Sequence, residues 1–225
     1  MNGLNFYTHF GELLMLICSF VAAIIGFLNR KKHASLRRIY IYPLASMAHT
    51  ILLFITGYYH ITWKIKSTIM YCAEDIFLVI EFFIIYYFFL NVLKLAAARK
   101  LLLILEVVYV VMVFCFSVAF KSFFELSLSL YTPQTFFILI PVITYYFELV
   151  KWPPHDKLSR IPSFWIATGV TIYFAGTAPL FLLKDFIFKE DYLKEKDLYL
   201  INFVAYSIMF LFITKAYLCP KRDTP

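Results

Sequence analysis

Long apolar runs alternate with short polar connections along the whole chain. Seven such runs hold 19–22 residues each, which is the length an α-helix needs to cross the ~30 Å hydrocarbon core of a bilayer. Because the connections are short, consecutive helices must be antiparallel neighbours. The pattern predicts an all-α fold in which residues 1–225 form a single domain of seven transmembrane helices. The predicted spans are residues 10–28, 39–59, 69–90, 101–120, 130–150, 162–183 and 198–219.

The composition also indicates a membrane protein. Hydrophobic residues make up 62% of the chain and charged residues only 16%, whereas an average soluble domain has roughly 25% charged residues. A soluble chain of this composition would expose large apolar patches. The net charge of +7 is explained by cytoplasmic loops, which collect Lys and Arg in membrane proteins. We therefore expect the lipid bilayer as a partner and no nucleic acid.

The distribution of Lys and Arg predicts the orientation in the membrane. The connections after spans one, three and five, together with the C-terminal end, hold 14 of the 21 Lys and Arg residues, and the opposite side holds 7. Cytoplasmic loops carry the excess of these residues. The C-terminus is therefore expected in the cytoplasm and the N-terminus outside, and the basic cytoplasmic loops are a candidate docking place for a protein partner.

Several ionisable residues fall inside the apolar spans, where such residues are rare. A carboxylate at membrane depth costs ~2.5 kcal/mol or more, so it usually faces protein or a water-filled cavity and marks a functional position. In the predicted orientation these residues form three layers. The outer layer holds Glu12, Glu74 and Asp75, the central layer holds His49 and Glu81, and the inner layer holds Glu106, Glu148 and Lys215.

The inner and outer layers suggest different roles. Lys215 can neutralise Glu106 or Glu148, and interfacial basic residues can reach the other carboxylate, so we interpret the inner layer as structural ion pairs. The outer layer has no Lys or Arg at its own depth, so its acids are expected to be partly protonated, to face a water-filled vestibule or to hold a cation. His9 and Glu12 lie three apart on one helix face, but one histidine with carboxylates is a poor zinc ligand set. We therefore predict no metal site and no cofactor.

The central layer is the strongest candidate for a functional site. Glu74 and Glu81 are seven residues apart, which places them on one helix face about 10.5 Å apart along the axis. His49 is expected at a depth similar to that of Glu81. A Glu–His pair there can hold a proton, orient a polar ligand or simply satisfy two buried groups by hydrogen bonding, and the sequence leaves these alternatives open.

Two segments resemble an uncharacterised group of bacterial seven-helix membrane proteins. They are EDIFLVIEFFIIYYFF at 74–89 and PSFWIATGVTIYFAGTAP at 162–179. The resemblance implies the same architecture and a location in the bacterial cytoplasmic (inner) membrane. It implies nothing about mechanism.

A second resemblance concerns span five, which begins with the residues YTPQ. The dipeptide Pro133–Gln134 is similar to the Pro-Gln motif of sugar transporters that have a three-plus-one-plus-three helix plan. That plan implies an internal repeat, and spans one to three show no convincing similarity to spans five to seven. A transporter is therefore the alternative rather than the first interpretation.

The sequence favours a receptor-like or ligand-binding membrane module over other functions. In this interpretation a polar cavity open to the outer face receives a small molecule or cation, and the protein acts through a partner. The alternative is a small-solute or proton-coupled transporter, with Pro141 and Pro179 as flexing points and Glu81 as the coupling residue. An enzyme is not predicted, because no Ser–His–Asp set, metal triad or phosphate-binding glycine loop can be assembled.

Overall fold

The computed structural model describes residues 3–32, 36–58, 63–119, 123–182 and 192–220, and in this part of the chain every regular element is helical. The all-α class is therefore confirmed. A 3₁₀ helix covers Leu158–Arg160. The α-helices, in chain order, are α1 Gly3–Asn29, α2 Ile41–Tyr58, α3 Trp63–Val92, α4 Ala96–Ala119, α5 Phe123–Lys151, α6 Pro162–Leu182 and α7 Tyr192–Leu218.

Each predicted span coincides with one of these helices. The spans' predicted end residues 59, 120 and 183 lie outside the described residues. Val, Ile, Phe and Tyr are only moderate helix formers in water, yet they dominate these segments. A helix is the outcome because it satisfies all its backbone hydrogen bonds internally, which an apolar environment demands.

Five helices in the described part of the chain are long and apolar enough to cross a membrane, which supports a membrane protein. The helix α2 contributes a shorter apolar stretch, Ile41–Thr56. The helix α6 has 21 residues and contains Pro179. The five candidate spans are Phe10–Asn29, Cys72–Val92, Ala96–Ala119, Leu130–Lys151 and Leu200–Leu218.

The chain forms two compact units. Unit 1 comprises Met1–Pro43 and Pro154–Pro225, and unit 2 comprises Leu44–Pro153. In unit 1, α7 packs against both α1 and α6. Close approach of α6 and α7 depends on Gly169, where an added Cβ would lie 2.8 Å from Cβ of Phe212. Small residues at such contacts replace the hydrophobic drive that lipid does not supply.

Unit 2 is organised around α3, α4 and α5, which pack against one another. Its core consists of large aromatic and aliphatic side chains, including Phe82, Phe89 and Leu102, which are fully buried. The helix α4 is the least covered of the three, because only Ala98, Leu102 and Tyr109 are buried along its length. Most of the remaining surface of α4 is apolar and exposed, as expected of a helix that faces lipid.

Candidate functional site

Glu81 lies at the centre of unit 2, joined to two neighbouring helices by hydrogen bonds. It is only 1% exposed and sits next to the midpoint of the candidate span Cys72–Val92. Nε2 of Gln134 on α5 donates a hydrogen bond to Oε2 of Glu81 at 3.1 Å. The hydroxyl of Tyr109 on α4 donates to Oε1 of Gln134 at 2.9 Å. Glu81, Gln134 and Tyr109 are called the central polar cluster below.

The central polar cluster has a defined direction. A glutamine amide donates through its nitrogen and accepts through its oxygen, so the Gln134 amide presents donors to Glu81 and an acceptor to Tyr109. Gln134 is neutral, so this hydrogen bond holds the Glu81 carboxyl in position without adding charge. Burying a carboxyl at this depth is costly. Such a cost is accepted mainly at functional positions, which marks Glu81 as a candidate functional residue.

Aromatic rings pack against Tyr109 of the central polar cluster, and Tyr86 belongs to the same stack of rings. The Phe82 ring stacks on Tyr109 with centroids 3.7 Å apart and on Tyr86 with centroids 4.5 Å apart. Tyr86 is fully buried, and its hydroxyl has no hydrogen-bond partner among the described residues. A buried polar atom without a partner costs about 1–3 kcal/mol. A water molecule or a bound ligand would remove that cost at Tyr86.

His49 packs against α3 at Phe77, which is four residues and thus about one helical turn from Glu81. Its ring stacks on Phe77 of α3, with centroids 4.5 Å apart and planes 10° apart. The hydrogen bond recorded for Glu81 comes from Gln134 and not from His49. The buried Nε2 of His49 and the buried Oγ of Ser46, three residues earlier, have no hydrogen-bond partner among the described residues. The imidazole is therefore held by ring stacking rather than by the expected carboxyl.

The acids of the outer layer differ in burial. Asp75 is buried, whereas Glu74 is exposed. The buried positions of α3 in this region include Asp75, Leu78 and Glu81. Glu12 is half-buried on α1 in unit 1, and the side chain of His9 lies outside the described part of the structure.

Glu148 has a different partner from the predicted ion pair. This buried carboxylate accepts the backbone N–H groups of Lys94 at 2.9 Å and Leu95 at 2.8 Å. These residues immediately precede α4, whose first N–H groups have no partner within the helix. Glu148 on α5 therefore caps the entry to α4 and fixes the connection from α3.

The other two members of the inner layer lie in different units. Lys215 is exposed near the end of α7, with Nζ 5.9 Å from the ring centroid of Trp165. Glu106 is half-buried on α4 in unit 2. Lys215 thus lies near an aromatic ring of its own unit.

Gln134 and Tyr109 are not among the ligand-site residues that the sequence predicts, which are all acidic residues or histidine. Gln134 is the only glutamine in the chain, and the sequence singled it out solely through the Pro-Gln dipeptide. A lone amide within an apolar helix must find a partner for its donors and acceptor. That requirement was the available signal for Gln134, whereas nothing distinguishes Tyr109 from the other 16 tyrosines.

In the part of the chain that the structure describes, no group of three or more His, Cys, Asp or Glu is placed to hold a metal ion. No protein-family model, curated protein or solved structure matches the chain. The features of this chain that bear on function are the chemistry of the central polar cluster and the burial of Glu81 in the middle of a candidate span.

Proposed function

We propose that this protein is a receptor-like membrane module that binds a small polar or cationic ligand at the central polar cluster of unit 2. The observation that carries the proposal is a carboxyl, Glu81, buried at the middle of a candidate membrane span and hydrogen-bonded by a neutral amide. Polar groups at such a depth are costly and are retained mainly where they serve a ligand, a proton or a partner helix.

Each residue of the cluster has a role in this proposal. Glu81 supplies the charge or proton that attracts the ligand. Gln134 holds the carboxyl in position, and Tyr109 fixes which way the Gln134 amide points. The Tyr86 hydroxyl offers a further hydrogen bond in the same aromatic surroundings. These groups favour a ligand that carries a positive charge or several hydrogen-bond donors, since aromatic faces also attract cations.

We further propose seven membrane spans, with the N-terminus outside, the C-terminus in the cytoplasm and a cavity that opens to the outer face. The five apolar helices support this arrangement, with α2 and α6 as the remaining spans. The two-to-one distribution of Lys and Arg supports the orientation. The likeness of residues 74–89 and 162–179 to bacterial seven-helix proteins supports the bacterial inner membrane. A protein partner would dock on the basic cytoplasmic connection that contains Lys94, Arg99 and Lys100.

Thermal unfolding of the full chain in detergent tests the ligand site. A panel of small cations (choline, guanidinium, spermidine, sodium and potassium) is added to the wild type and to Glu81→Gln. We expect at least one cation to raise the Tm of the wild type, because a ligand at 100 times its Kd stabilises by about 2.7 kcal/mol. Glu81→Gln should lose that shift, whereas Asp156→Asn, at an exposed position of unit 1, should keep it. An equal shift in Glu81→Gln would contradict the assignment of Glu81.

A transporter is the second candidate, and the course of α5 favours it. Pro133 and Pro141 both lie inside this helix, and Pro133 directly precedes Gln134. Proline removes a backbone hydrogen bond and allows a helix to bend. The two prolines therefore make α5 easier to bend near Gln134, and such bending would assist the conformational change of a transporter. The same protein reconstituted in liposomes distinguishes the two functions. Proton or solute flux that Glu81→Gln abolishes would favour transport, and stabilisation by ligand without flux would favour the receptor-like module.

A further inference from the structure

The ends of three helices in unit 1 come together at one place, which we call the basic end. It comprises the described residues of the α1–α2 connection, the segment 154–161 and the end of α7. Two hydrogen bonds join these segments. The hydroxyl of Tyr217 donates to the carbonyl of Leu36 at 2.8 Å, and the thiol of Cys219, directly after α7, donates to the carbonyl of Ser159 at 3.9 Å. The basic end is therefore a built surface rather than a set of independent loops.

The α1–α2 connection supplies most of the positive charge. Arg30, Lys31 and Lys32 follow α1, and Arg37 and Arg38 precede α2. Lys31 and Arg37 are exposed. The carbonyl of Leu36 in this connection accepts a hydrogen bond from Tyr217 of α7. The backbone next to Arg37 is therefore held against α7.

The other two segments add positive charge and almost no negative charge. Lys157 is exposed just before the 3₁₀ helix, Arg160 is exposed at its last position, and Lys215 is exposed near the end of α7. Asp156 is the only acidic residue among the described residues of the basic end. The hydrogen bonds of Tyr217 and Cys219 bring the α1–α2 connection and the segment 154–161 to the same end of α7. Positive charge from all three segments is therefore gathered there.

An exposed apolar surface continues directly from the basic end. Phe20, Ile24 and Phe27 lie on an exposed face of α1, and Leu28 is 73% exposed. The Arg30 guanidinium carbon lies 3.8 Å from the centroid of the Phe27 ring. The positive charge therefore sits at the point where the apolar face of α1 ends.

We propose that the basic end binds the headgroups of anionic phospholipids, with an acyl chain along the exposed face of α1. A phospholipid matches both halves of this surface, because its phosphate meets the Lys and Arg side chains while its chain meets Phe27 and Leu28. A soluble phosphate would use only the charged half. An acidic protein segment would leave the apolar face of α1 uncovered. Anionic lipid is attracted to basic residues at the membrane surface, and each additional basic residue strengthens binding severalfold.

Lipid selectivity measured by electron spin resonance tests the proposal. The full chain is reconstituted in phosphatidylcholine bilayers, and the association of spin-labelled phosphatidylglycerol is compared with that of spin-labelled phosphatidylcholine. We expect the wild type to prefer phosphatidylglycerol by at least about threefold. The triple variant Lys31→Gln, Arg37→Gln, Arg160→Gln should bring the ratio close to one. Arg37→Gln alone should lower the ratio partially, which keeps the test valid if the triple variant folds poorly.

A matched triple variant in unit 2 provides the control. Lys94, Lys100 and Lys151 are also exposed, and Lys94→Gln, Lys100→Gln, Lys151→Gln removes the same charge while leaving unit 1 unchanged. We expect this variant to keep the wild-type ratio. Loss of the preference to the same extent in both triple variants would mean a general effect of net charge and would overturn the proposal, as would a wild-type ratio of one.

Two further measurements separate other occupants from lipid. Inorganic phosphate that abolishes the preference, where chloride at equal ionic strength does not, would assign the surface to free phosphate and overturn the lipid site. A polyglutamate peptide that binds the wild type but not the unit 1 variant, with no lipid preference in either, would assign it to an acidic protein. Persistence of the lipid preference under both conditions would support the proposal.

Discussion

The two units bury different kinds of polar groups. All three buried acids among the described residues, Asp75, Glu81 and Glu148, lie in unit 2. The polar groups that are buried in the described part of unit 1 are neutral. Two of its tyrosines bond to each other, since the Tyr42 hydroxyl donates to the Tyr206 hydroxyl at 2.8 Å. Neutral hydroxyl bonds fix helix positions at low cost, whereas buried carboxyls impose a large electrostatic cost. The comparison shows an interior held by neutral hydroxyl bonds in unit 1 and an interior that contains buried acids in unit 2.

The largest effect is expected where a buried acid of unit 2 is removed. Glu148→Ala leaves the N–H groups of Lys94 and Leu95 without their acceptor, and hydrogen bonds to charged groups contribute about 1.5–3 kcal/mol each. We expect a loss of about 3 kcal/mol in the free energy of unfolding, measured by denaturant titration of the full chain in detergent. The exposed Glu74 provides the control, since Glu74→Ala should cost less than about 0.5 kcal/mol. An equal loss of unfolding free energy in the two variants would show that the buried, hydrogen-bonded Glu148 contributes no more to stability than the exposed Glu74.

A smaller effect is expected from close packing in unit 1. In Gly169→Ala the new Cβ would lie 2.8 Å from Cβ of Phe212 and 3.2 Å from the carbonyl oxygen of Met209. Overpacking of this kind typically costs about 1–3 kcal/mol, and thermal unfolding should show a lowered Tm. Gly176 on the same helix has no described atom within 4 Å of an added Cβ. Gly176→Ala should therefore leave the Tm unchanged or raise it, because alanine is the better helix former. A fall in both variants would show that α6 is sensitive to any substitution rather than to this contact.

The smallest effect is expected from a neutral hydroxyl of unit 1. Tyr217→Phe removes the hydrogen bond to the carbonyl of Leu36 and leaves the ring packing in place. A typical net contribution of such a bond is about 1 kcal/mol, so the free energy of unfolding should fall by about that amount. Tyr86→Phe in unit 2 is the comparison and should change stability less, because the Tyr86 hydroxyl has no hydrogen-bond partner among the described residues. A cost for Tyr217→Phe as large as that of Glu148→Ala would erase the contrast between the units.

Much of the helical organisation could be predicted, and the pairing of side chains could not. The predicted spans match helices because runs of about 20 apolar residues have few alternatives to a helix. The burial of Glu81 was also expected, since a carboxyl in such a run must turn inward. Its partner Gln134 was not expected, because the choice between Gln134 and His49 depends on how α3 is rotated relative to α5 and α2. The exposure of Glu74, seven residues from the buried Glu81, also depends on the neighbouring helices, because they set the width of the buried face of α3.

The sequence by itself determined that this chain is all-helical and rich in segments apolar enough for a membrane, because hydropathy and backbone hydrogen bonding act locally along each segment. It also determined that charges within those segments need partners. Only the tertiary structure decided that Glu81 meets Gln134, that Glu148 caps α4 and that the basic residues of unit 1 gather at one end. These outcomes depend on the rotation and depth of each helix, which are set by packing between segments that are far apart in the chain.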